Sequence, residues 1–467
     1  MKQSNPHQTS SAKSESSSRW DKALSALSLA GLAVLIFLGG SIVTVSEIFP
    51  GPQIMRAYQA GMALYNQRTQ YQDVYGGDIW YPERRSDKGV TVYRPGQAQD
   101  GLTLYVSASD PAVRLIDMNG NMVHEWRRPF STFWKPSADG VARPRPDEFV
   151  YIRTAKLFPN GDLLAVYEGN GDTPYGYGVV KLDRNSRVIW SYFGRAHHDL
   201  DVAPDGKIYV LTHEFVDDEL KGAGHLKPPR LDDFLVVLSS DGEELRKIPL
   251  LQSIAKSRYR QLLYTVSSFA VADPLHANAV DFIDRKKAKN FAFGKAGQVL
   301  LSFRELNAIT VLDPETSEIT WATRGPWIGQ HDPDILPNGT ILLFDNYGNY
   351  RGPEGGSRVI EFDPRTMAIR WQYAGTAKDP LNSLIRSDQQ RLPNGNTLIT
   401  ESDGGRIVEV TPQGEIAWEF VNPVRGGPDG KMIPIIAWSQ RVDLSGFDAS
   451  FRQAWRRSGP SQMRAVE

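Results

Sequence analysis

Cysteine is absent from the 467-residue chain. Its absence excludes disulfide bonds, thiolate catalysis and cysteine-based zinc or iron–sulfur sites, although it does not identify a cellular compartment. The chain also lacks an excess of either charge, since its formal net charge is −1, so nothing in the composition favours nucleic-acid binding. Neither a Walker-type loop nor a dinucleotide-binding glycine fingerprint occurs, so a nucleotide substrate or cofactor has no evident cradle.

Charge is also missing from one long segment near the amino terminus. Residues 23–46 contain no charged side chain and are dominated by Leu, Ala, Val and Ile, which is long enough for a helix to cross a bilayer. Lysines and arginines precede this segment and Glu47 follows it. The positive-inside rule therefore predicts a cytoplasmic amino terminus and an extracytoplasmic remainder. A cleaved signal peptide is the alternative, but the apolar run is long for one and no clear Ala-x-Ala site follows.

These features predict five segments in the chain. They are a disordered cytoplasmic tail (1–22), a transmembrane anchor (23–46), a linker (47–100), a globular domain (101–445) and a carboxyl-terminal tail (446–467). Within the linker, residues 52–72 are a candidate helix and the residues from 73 onward are predicted to be irregular.

Within the globular domain one pattern recurs six times: apolar residues, a polar turn, and a second strand that usually ends in tryptophan. The copies are Leu115–Trp126, Lys181–Trp190, Val237–Ile248, Val311–Trp321, Glu361–Trp371 and Val408–Trp418. A second hairpin, built on a Pro-Asn-Gly or Pro-Asp-Gly turn, precedes most copies, so each unit is a four-stranded sheet. Six such sheets predict an all-β fold, a six-bladed β-propeller that follows a single transmembrane helix, with five or seven blades as alternatives. The first copy lacks an inner strand, which residues 434–442 are predicted to supply, and the tryptophans are predicted to pack between blades.

Equivalent positions in successive blades carry polar residues. The position six residues before the turn proline begins the innermost strand and is occupied by Arg153, His198, His331 and Ser387, with His276 at the corresponding place in the fourth blade. A second position, at the end of the following strand, is occupied by Glu168, His213, Arg304, Asn346 and Ser402. Because inner strands of a propeller line its central channel, we expect His198, His276, His331 and Arg304 to cluster at one end of it. His213 and Asn346 are expected around this cluster, and His197 is expected to face away because neighbouring strand residues alternate sides.

The residue types at these positions restrict the chemistry. Three histidines are able to bind zinc, which keeps a metal-dependent hydrolase open as a hypothesis. An arginine beside them argues against a cation and favours an oxyanion such as sulfate, phosphate or carboxylate. Histidine near neutral pH donates hydrogen bonds, exchanges protons or acts as a nucleophile. We therefore expect an anion site that holds no metal.

The motifs resemble those of the bacterial arylsulfotransferases that work without 3'-phosphoadenylylsulfate, over about residues 90–445. The matching motifs are His197-His-Asp199, His276-x-Asn278, Ser302-Phe-Arg304, and Gln330-His331 followed by the Leu-Pro-Asn-Gly turn. The resemblance implies that His331 carries a transient sulfuryl group and that His198, His276 and Arg304 hold the sulfate oxygens. His197, His213, Asn278 and Asn346 are further candidates for substrate binding.

The resemblance also implies a function. It is the transfer of a sulfuryl group from a phenolic sulfate ester to a phenolic acceptor, through a sulfohistidine, with ping-pong kinetics and no cofactor. The partners would be these two small molecules, without nucleic acid, and residues 23–46 would anchor the chain in a bacterial inner membrane with the propeller in the periplasm. Known members can carry a separate amino-terminal β domain, but only about 50 residues separate the apolar segment from the propeller here, so we expect that domain to be missing or reduced. The alternative hypothesis is a non-catalytic propeller that binds an anionic ligand or a protein partner.

Overall fold

The computed structural model describes residues 12–46, 48–55, 57–58, 61, 65, 72–136, 140–348 and 356–452. It forms two compact units, Met1–Gln72 and Asp73–Glu467.

The first unit contains one long helix, α1 (Ala12–Val45). Its segment Trp20–Val45 is long and apolar enough to cross a membrane, a property that anchors and signal sequences share. The helix begins well before the apolar run, so residues 12–22, which the sequence predicts to be disordered, are helical because Ala, Lys and Glu extend a helix readily. The candidate linking helix over 52–72 falls mostly outside the described residues.

The second unit is built almost entirely of strands, formed by runs rich in Val, Ile, Leu and Tyr between tight turns. In chain order they are β1 (Trp80–Pro82), β2 (Gly89–Tyr93), β3 (Leu102–Ser107), β4 (Ala112–Ile116), β5 (Met122–Arg127), β6 (Val150–Leu157), β7 (Leu163–Gly169), β8 (Gly176–Leu182), β9 (Val188–Tyr192), β10 (Ala196–Val202), β11 (Ile208–Val216), β12 (Arg230–Leu238), β13 (Glu244–Pro249) and β14 (Ala277–Phe282). They continue with β15 (Val299–Phe303), β16 (Ala308–Asp313), β17 (Glu318–Arg324), β18 (His331–Ile335), β19 (Ile341–Asp345), β20 (Arg358–Phe362), β21 (Ile369–Tyr373), β22 (Asp388–Arg391), β23 (Thr397–Glu401), β24 (Arg406–Val410), β25 (Ile416–Val421), β26 (Met432–Pro434) and β27 (Ile436–Val442). Two short helices, α2 (Leu250–Lys256) and α3 (Arg285–Ala288), lie in connections between them.

These strands form a six-bladed β-propeller, as the repeats predict. The blades have the strand orders β27-β3-β4-β5, β6-β7-β8-β9, β10-β11-β12-β13, β14-β15-β16-β17, β18-β19-β20-β21 and β22-β23-β24-β25. The first strand of each order lies innermost, and these inner strands contact one another around the axis. Strand β27 completes the first blade by pairing with β3, so the predicted ring closure by residues 434–442 is confirmed.

The hydrophobic core is divided among the faces between neighbouring blades. One cluster, for example, joins Val166 of the second blade to Val210 and Val236 of the third. The repeat tryptophans lie at these faces and bond to the next blade, as predicted. Trp126 Nε1 donates to Gly161 O at 3.0 Å and Trp418 Nε1 donates to Met118 O at 2.8 Å.

Two segments differ from their predictions. The region after residue 73 is not irregular throughout, because β1 pairs with β26 and β2 adds a fifth strand to the sixth blade by pairing with β25. The predicted tail after residue 446 begins with packed residues, since Phe447 and Phe451 are buried against the first blades. Both segments are too short and too weakly patterned to show a strand or a core contact in the sequence.

Candidate active site

β-Bulges shape the site at the beginning of the inner strands. The pairing register shifts between Ala196 and Leu200 in β10, between Ala277 and Ala279 in β14, and between His331 and Asp334 in β18. Such bulges re-aim side chains and are common next to active sites. They also break the alternation of side chains, so adjacent residues are able to face the same region.

Left-handed backbone conformations also occur at these places. His198 and His276 have left-handed φ angles of +54° and +46°, and Asp332, directly after His331, has φ of +51°. Residues other than glycine hold this conformation only where the surrounding structure enforces it, and they cluster at functional sites.

The three predicted channel histidines lie together. The ring centroids of His198 and His276 are 5.1 Å apart, and those of His198 and His331 are 6.4 Å apart. His198, His331 and Asn278 line a narrow cavity on the channel axis. Neither His276 nor Arg304 is among the residues that line this cavity, and the Arg304 guanidinium lies 3.3 Å from the Glu305 carboxylate.

The hydrogen bonds of His331 determine which ring nitrogen carries the proton. Its Nδ1 lies 2.8 Å from Asn346 Oδ1 and 3.1 Å from Gly329 O. Asn346 Nδ2 donates to Ser383 O and Arg386 O at 2.8 and 2.9 Å, so its Oδ1 is an acceptor. Both neighbours of Nδ1 are therefore acceptors, which puts the proton on Nδ1.

Electrostatics keeps the same ring neutral. His331 is 2% exposed, and burial lowers its pKa well below the usual range, with further lowering by the cations Arg304 and Arg153. A neutral imidazole with its proton on Nδ1 has a lone pair on Nε2. His331 therefore has the state that a nitrogen nucleophile requires.

His276 has the opposite character. Its Nδ1 lies 2.5 Å from Asp273 Oδ2. Burial lowers the pKa of His276, but the Asp273 carboxylate outweighs burial, and the net direction is upward. His276 is thus the channel histidine best suited to be an imidazolium, with Nε2–H as a proton donor.

His198 is neutral and is held by two contacts. Its backbone N–H donates to Glu168 Oε1 at 2.7 Å, and its ring Nδ1 lies 2.8 Å from His197 Nδ1. Burial lowers the pKa of His198 well below its usual value, and the neighbouring His197 and His276 lower it further. Only its Nε2 remains for a ligand in the channel.

His197 and His213 form a separate buried group with Asp233 behind the channel. His197 does not line the cavity, but the bulge in β10 brings its ring against His198 and stacks it on His213 at 4.2 Å between centroids. The nitrogens of the two rings and Asp233 Oδ1 lie within 4.8 Å of one another.

This group does not fit a metal ion in the observed arrangement. Gly176 N–H donates to His213 Nε2 at 3.0 Å, and burial lowers the pKa of His213 well below its usual value. A neutral ring whose Nε2 accepts a hydrogen bond has its proton on Nδ1, so Nδ1 of His213 is not free to bind a metal. Two ligands would remain, whereas protein zinc sites use three or four.

Asn278, a secondary candidate, belongs to the cavity wall. Its Nδ2 donates to Gln330 O at 2.8 Å, and its Oδ1 is buried without a hydrogen-bond partner in the described part of the chain. Gln330 Nε2 in turn donates to Ser302 Oγ at 3.0 Å. These bonds tie the strand of His331 to the fourth blade.

Two residues of the site, Arg153 and Tyr175, were not predicted from the sequence to be functional. Arg153 lines the cavity, is 5% exposed and donates from Nη1 to Ala437 O at 2.7 Å. Its place six residues before the turn proline was the available signal. Tyr175 packs its ring edge-on against His213 at 4.4 Å and lies within 6.0 Å of the His276 ring centre. Tyr175 lies in a connection outside the repeats, so no pattern marked it.

Comparison with known proteins bears on this site. A family model described as arylsulfotransferase (ASST) matches residues 154–423, more than half of the chain, including the channel histidines and Arg304. No curated protein matches the chain. Similar solved structures include a protein of unknown function from Bacteroides caccae, with 14% identity, a TM-score of 0.44, and coverage of 72% of this chain and 99% of that one. Another is virginiamycin B lyase from Staphylococcus aureus, with 11% identity, a TM-score of 0.38, and coverage of 78% and 98%. The extent of the family match shows that the chain belongs to the arylsulfotransferase family.

Proposed function

We propose that the propeller transfers a sulfuryl group from a phenolic sulfate ester to a phenolic acceptor, with His331 as the transient carrier. The observation that carries this proposal is the hydrogen bonding of His331. The acceptors Asn346 Oδ1 and Gly329 O hold its proton on Nδ1 and leave the Nε2 lone pair for attack.

In the first half-reaction His331 Nε2 attacks the sulfur of the donor. The N–S bond forms while the bond between sulfur and the aryl oxygen breaks, and the electron pair of that bond leaves with the aryloxide. The Nε2–H of His276 supplies the proton that makes the product a neutral phenol. Asp273, hydrogen-bonded to His276 Nδ1 at 2.5 Å, favours the imidazolium that this step requires.

The second half-reaction is the reverse with a different phenol. The acceptor oxygen attacks sulfur, the N–S bond breaks, and its electron pair returns to His331 Nε2. The acceptor proton goes to His276, which restores the starting enzyme. The scheme uses one site for both phenols and one covalent intermediate, so the kinetics are expected to be ping-pong.

Four side chains are suited to stabilise the negative charge on the sulfuryl oxygens. Arg153 lines the cavity, Arg304 is close enough to lower the pKa of His331, and His276 and His198 complete the set. Preorganised donors of this kind lower the barrier most when they face the position where charge develops.

The location of the propeller is part of the same proposal. The helix Trp20–Val45 would anchor the chain in a bacterial inner membrane, with the propeller on the periplasmic side. A reporter enzyme that is active only outside the cytoplasm, fused after Glu467, should be active. Activity of a cytoplasmic reporter at the same position would overturn this orientation.

The reaction is tested with the full-length chain in detergent, p-nitrophenyl sulfate as donor and phenol as acceptor. Release of nitrophenol that depends on phenol, with formation of phenyl sulfate, is the expected result. Release to water alone would indicate a hydrolase and would contradict the proposal. Binding of the donor without turnover would support a non-catalytic anion-binding propeller instead.

A further inference from the structure

Asp233, His197 and His198 form a continuous chain of contacts from the interior of the third blade to the channel. His197 Nε2 lies 3.2 Å from Asp233 Oδ1, and His197 Nδ1 lies 2.8 Å from His198 Nδ1. Asp233 Oδ2 accepts a hydrogen bond from Ala277 N–H at 2.7 Å. Asp233 and His197 are 1% and 0% exposed, so bulk solvent does not reach these contacts.

The burial of Asp233 favours two protons, rather than one, on the pair formed by Asp233 and His197. An isolated carboxylate charge in a dry interior costs several kcal/mol, and burial raises the pKa of the Asp233 carboxyl. The nearest basic atom is His197 Nε2. Asp233 Oδ1 and His197 Nε2 lie 3.2 Å apart, and neither has a hydrogen-bond partner in the described part of the chain. One proton placed between them, with another on His197 Nδ1, leaves the two residues without net charge.

The proton on His197 Nδ1 then fixes the state of His198. Two ring nitrogens 2.8 Å apart require one donor and one acceptor. If His197 Nδ1 donates, His198 Nδ1 accepts, and the neutral ring of His198 must carry its own proton on Nε2. That nitrogen is the one left for the channel, where His198 lines the cavity.

We propose that Asp233 and His197 are positioning residues that force His198 to present Nε2–H, an uncharged hydrogen-bond donor, to a sulfuryl oxygen. This inference rests on the proposed function only for the identity of that anion. It explains why two adjacent histidines occur in β10. The bulge between Ala196 and Leu200 lets both rings act, one toward the channel and one behind it.

Substitutions of Asp233 distinguish this proposal from its rivals. Asp233→Asn supplies an amide N–H to His197 Nε2, so hydrogen bonds are still donated from residue 233 to His197 and from His197 to His198. The affinity for p-nitrophenyl sulfate, measured by calorimetry, should stay within roughly threefold of the unmodified value. Asp233→Leu removes the partner, and the affinity should fall by about tenfold or more, the equivalent of one hydrogen bond to an anion. If Asp233 were a carboxylate that orients His198 with its proton on Nδ1, Asp233→Asn would reverse the donors and acceptors of these contacts, and the affinity would change by about tenfold or more. That result would overturn the proposal.

A second pair of variants separates positioning from packing. His197→Asn places an amide donor near the position of Nδ1, whereas His197→Phe keeps the ring that stacks on His213 but offers no hydrogen bond. We expect tighter binding of p-nitrophenyl sulfate by the Asn variant than by the Phe variant, even if its melting temperature is lower. Equal or better binding by His197→Phe would show that His197 only packs. His225→Gln, on a remote connection, is the matched control and should leave the affinity unchanged.

Calorimetry in a His331→Ala background, where the donor has no nitrogen to react with, keeps this test independent of catalysis. If the unmodified chain binds the donor but forms no covalent intermediate, the proposed function fails while the order of the His197 variants still decides the role of His198. Zinc bound in stoichiometric amounts, with loss of donor affinity after chelation, would replace the proton chain with a metal site and would overturn the proposal.

Discussion

Each of the three channel histidines has a different partner on Nδ1, and that partner decides what the ring is able to do. His331 faces the amide oxygen of Asn346, His276 faces the carboxylate of Asp273, and His198 faces the imidazole of His197. A neutral acceptor on Nδ1 leaves Nε2 of His331 as a nucleophile, and a carboxylate on Nδ1 favours the imidazolium form of His276. For His198 we propose that the N–H of His197 leaves an uncharged Nε2–H donor. One residue type thus supplies three functions within a few ångströms.

Asn346→Asp tests the neutral partner of His331. A carboxylate at hydrogen-bond distance from Nδ1 favours imidazolium and typically raises a histidine pKa by about one to three units. Burial keeps the pKa of His331 low in the unmodified protein, so its rate of intermediate formation should not fall until the pH is well below neutral. In Asn346→Asp, the rate at neutral pH should fall, and it should recover as the pH rises.

The measurement is the rate of nitrophenol release in the first turnover between pH 5 and 9. Asn278→Asp is the matched control, since Asn278 lines the same cavity without a hydrogen bond to His331. The same pH profile in both variants would show that any added charge has this effect, and would contradict the specific role of Asn346.

At the residue scale, the sequence predicts the channel histidines because they repeat at one position in successive blades. Arg153 occupies the same position but was not predicted to be a site residue, since arginine is also common in exposed strands. His197 and Asp233 were beyond prediction as a pair because a bulge, which the sequence does not mark, brings the ring of His197 against its neighbour. Strict alternation along a strand is the assumption that failed.

At the scale of the strands, carboxylates join neighbouring inner strands across the channel. Asp199 Oδ2 accepts from Val280 N–H at 2.9 Å, and Asp281 Oδ2 accepts from Ile335 N–H at 3.1 Å. Asp388 Oδ2 accepts from Ser439 N–H at 3.2 Å and so links the last blade to the first. These buried acids therefore belong to the framework that holds the inner strands in register.

The burial of carboxyl groups at the channel predicts that the free energy of unfolding of the propeller is higher at mildly acidic pH than at mildly alkaline pH. Burial raises the pKa of Asp332 to about 8 and that of Asp388 to about 7, against about 3.9 in an unfolded chain. The folded state keeps protons that the unfolded state releases. This stabilisation is full below pH 4 and is lost as the pH rises through 7 and 8.

Asp332→Asn should remove the part of the pH dependence of stability that the Asp332 carboxyl contributes. Its melting temperature relative to that of the unmodified protein should be higher at pH 8.5 than at pH 5.5. Asp363→Asn, at an exposed turn between β20 and β21, is the control and should show a difference that is constant over the same range. A constant difference for Asp332→Asn as well would contradict the protonated state assigned to this carboxyl.

The repeats revealed the strands of the blades, but not those outside them. β1 and β2 lie before the first repeat, and each gains its stability from a partner more than 300 residues away in the chain, β26 or β25. Arg85 adds an ion pair with Glu419 at 3.0 Å next to β2. Such long-range pairing leaves no periodic signal in a three- or five-residue strand.

At the scale of the molecule, the ring is closed where its two ends meet. β27 hydrogen-bonds to β3, so the first blade contains strands from both ends of the propeller. Trp418, at the end of the last blade, is fully buried and donates to Met118 O of the first blade. Closure of this kind pairs β3 on both sides, with β27 and β4, so that β3 is not a sheet edge.

Trp418→Phe and Trp418→Ala separate the two contributions of this tryptophan. The Phe variant keeps most of the apolar contact and loses the hydrogen bond, which should lower the free energy of unfolding by about 1 kcal/mol. The Ala variant leaves a cavity and should lower it by about 3–5 kcal/mol. Urea denaturation of the full-length chain in detergent gives both values. An unchanged free energy of unfolding in the Phe variant would contradict a bonding role for the indole N–H, and equal losses in the two variants would contradict a packing role for the ring.

Transfer through a sulfohistidine requires His331 to carry the sulfuryl group, and mass spectrometry of the quenched protein detects that adduct. The full-length chain is mixed with p-nitrophenyl sulfate without an acceptor, quenched under alkaline conditions, digested and sequenced by fragmentation. We expect one added SO₃ on the peptide of His331, its loss when phenol is added before the quench, and no adduct in His331→Ala. His225→Ala should retain the adduct. An SO₃ group located on another residue, or its persistence in His331→Ala, would rule out His331 as the carrier.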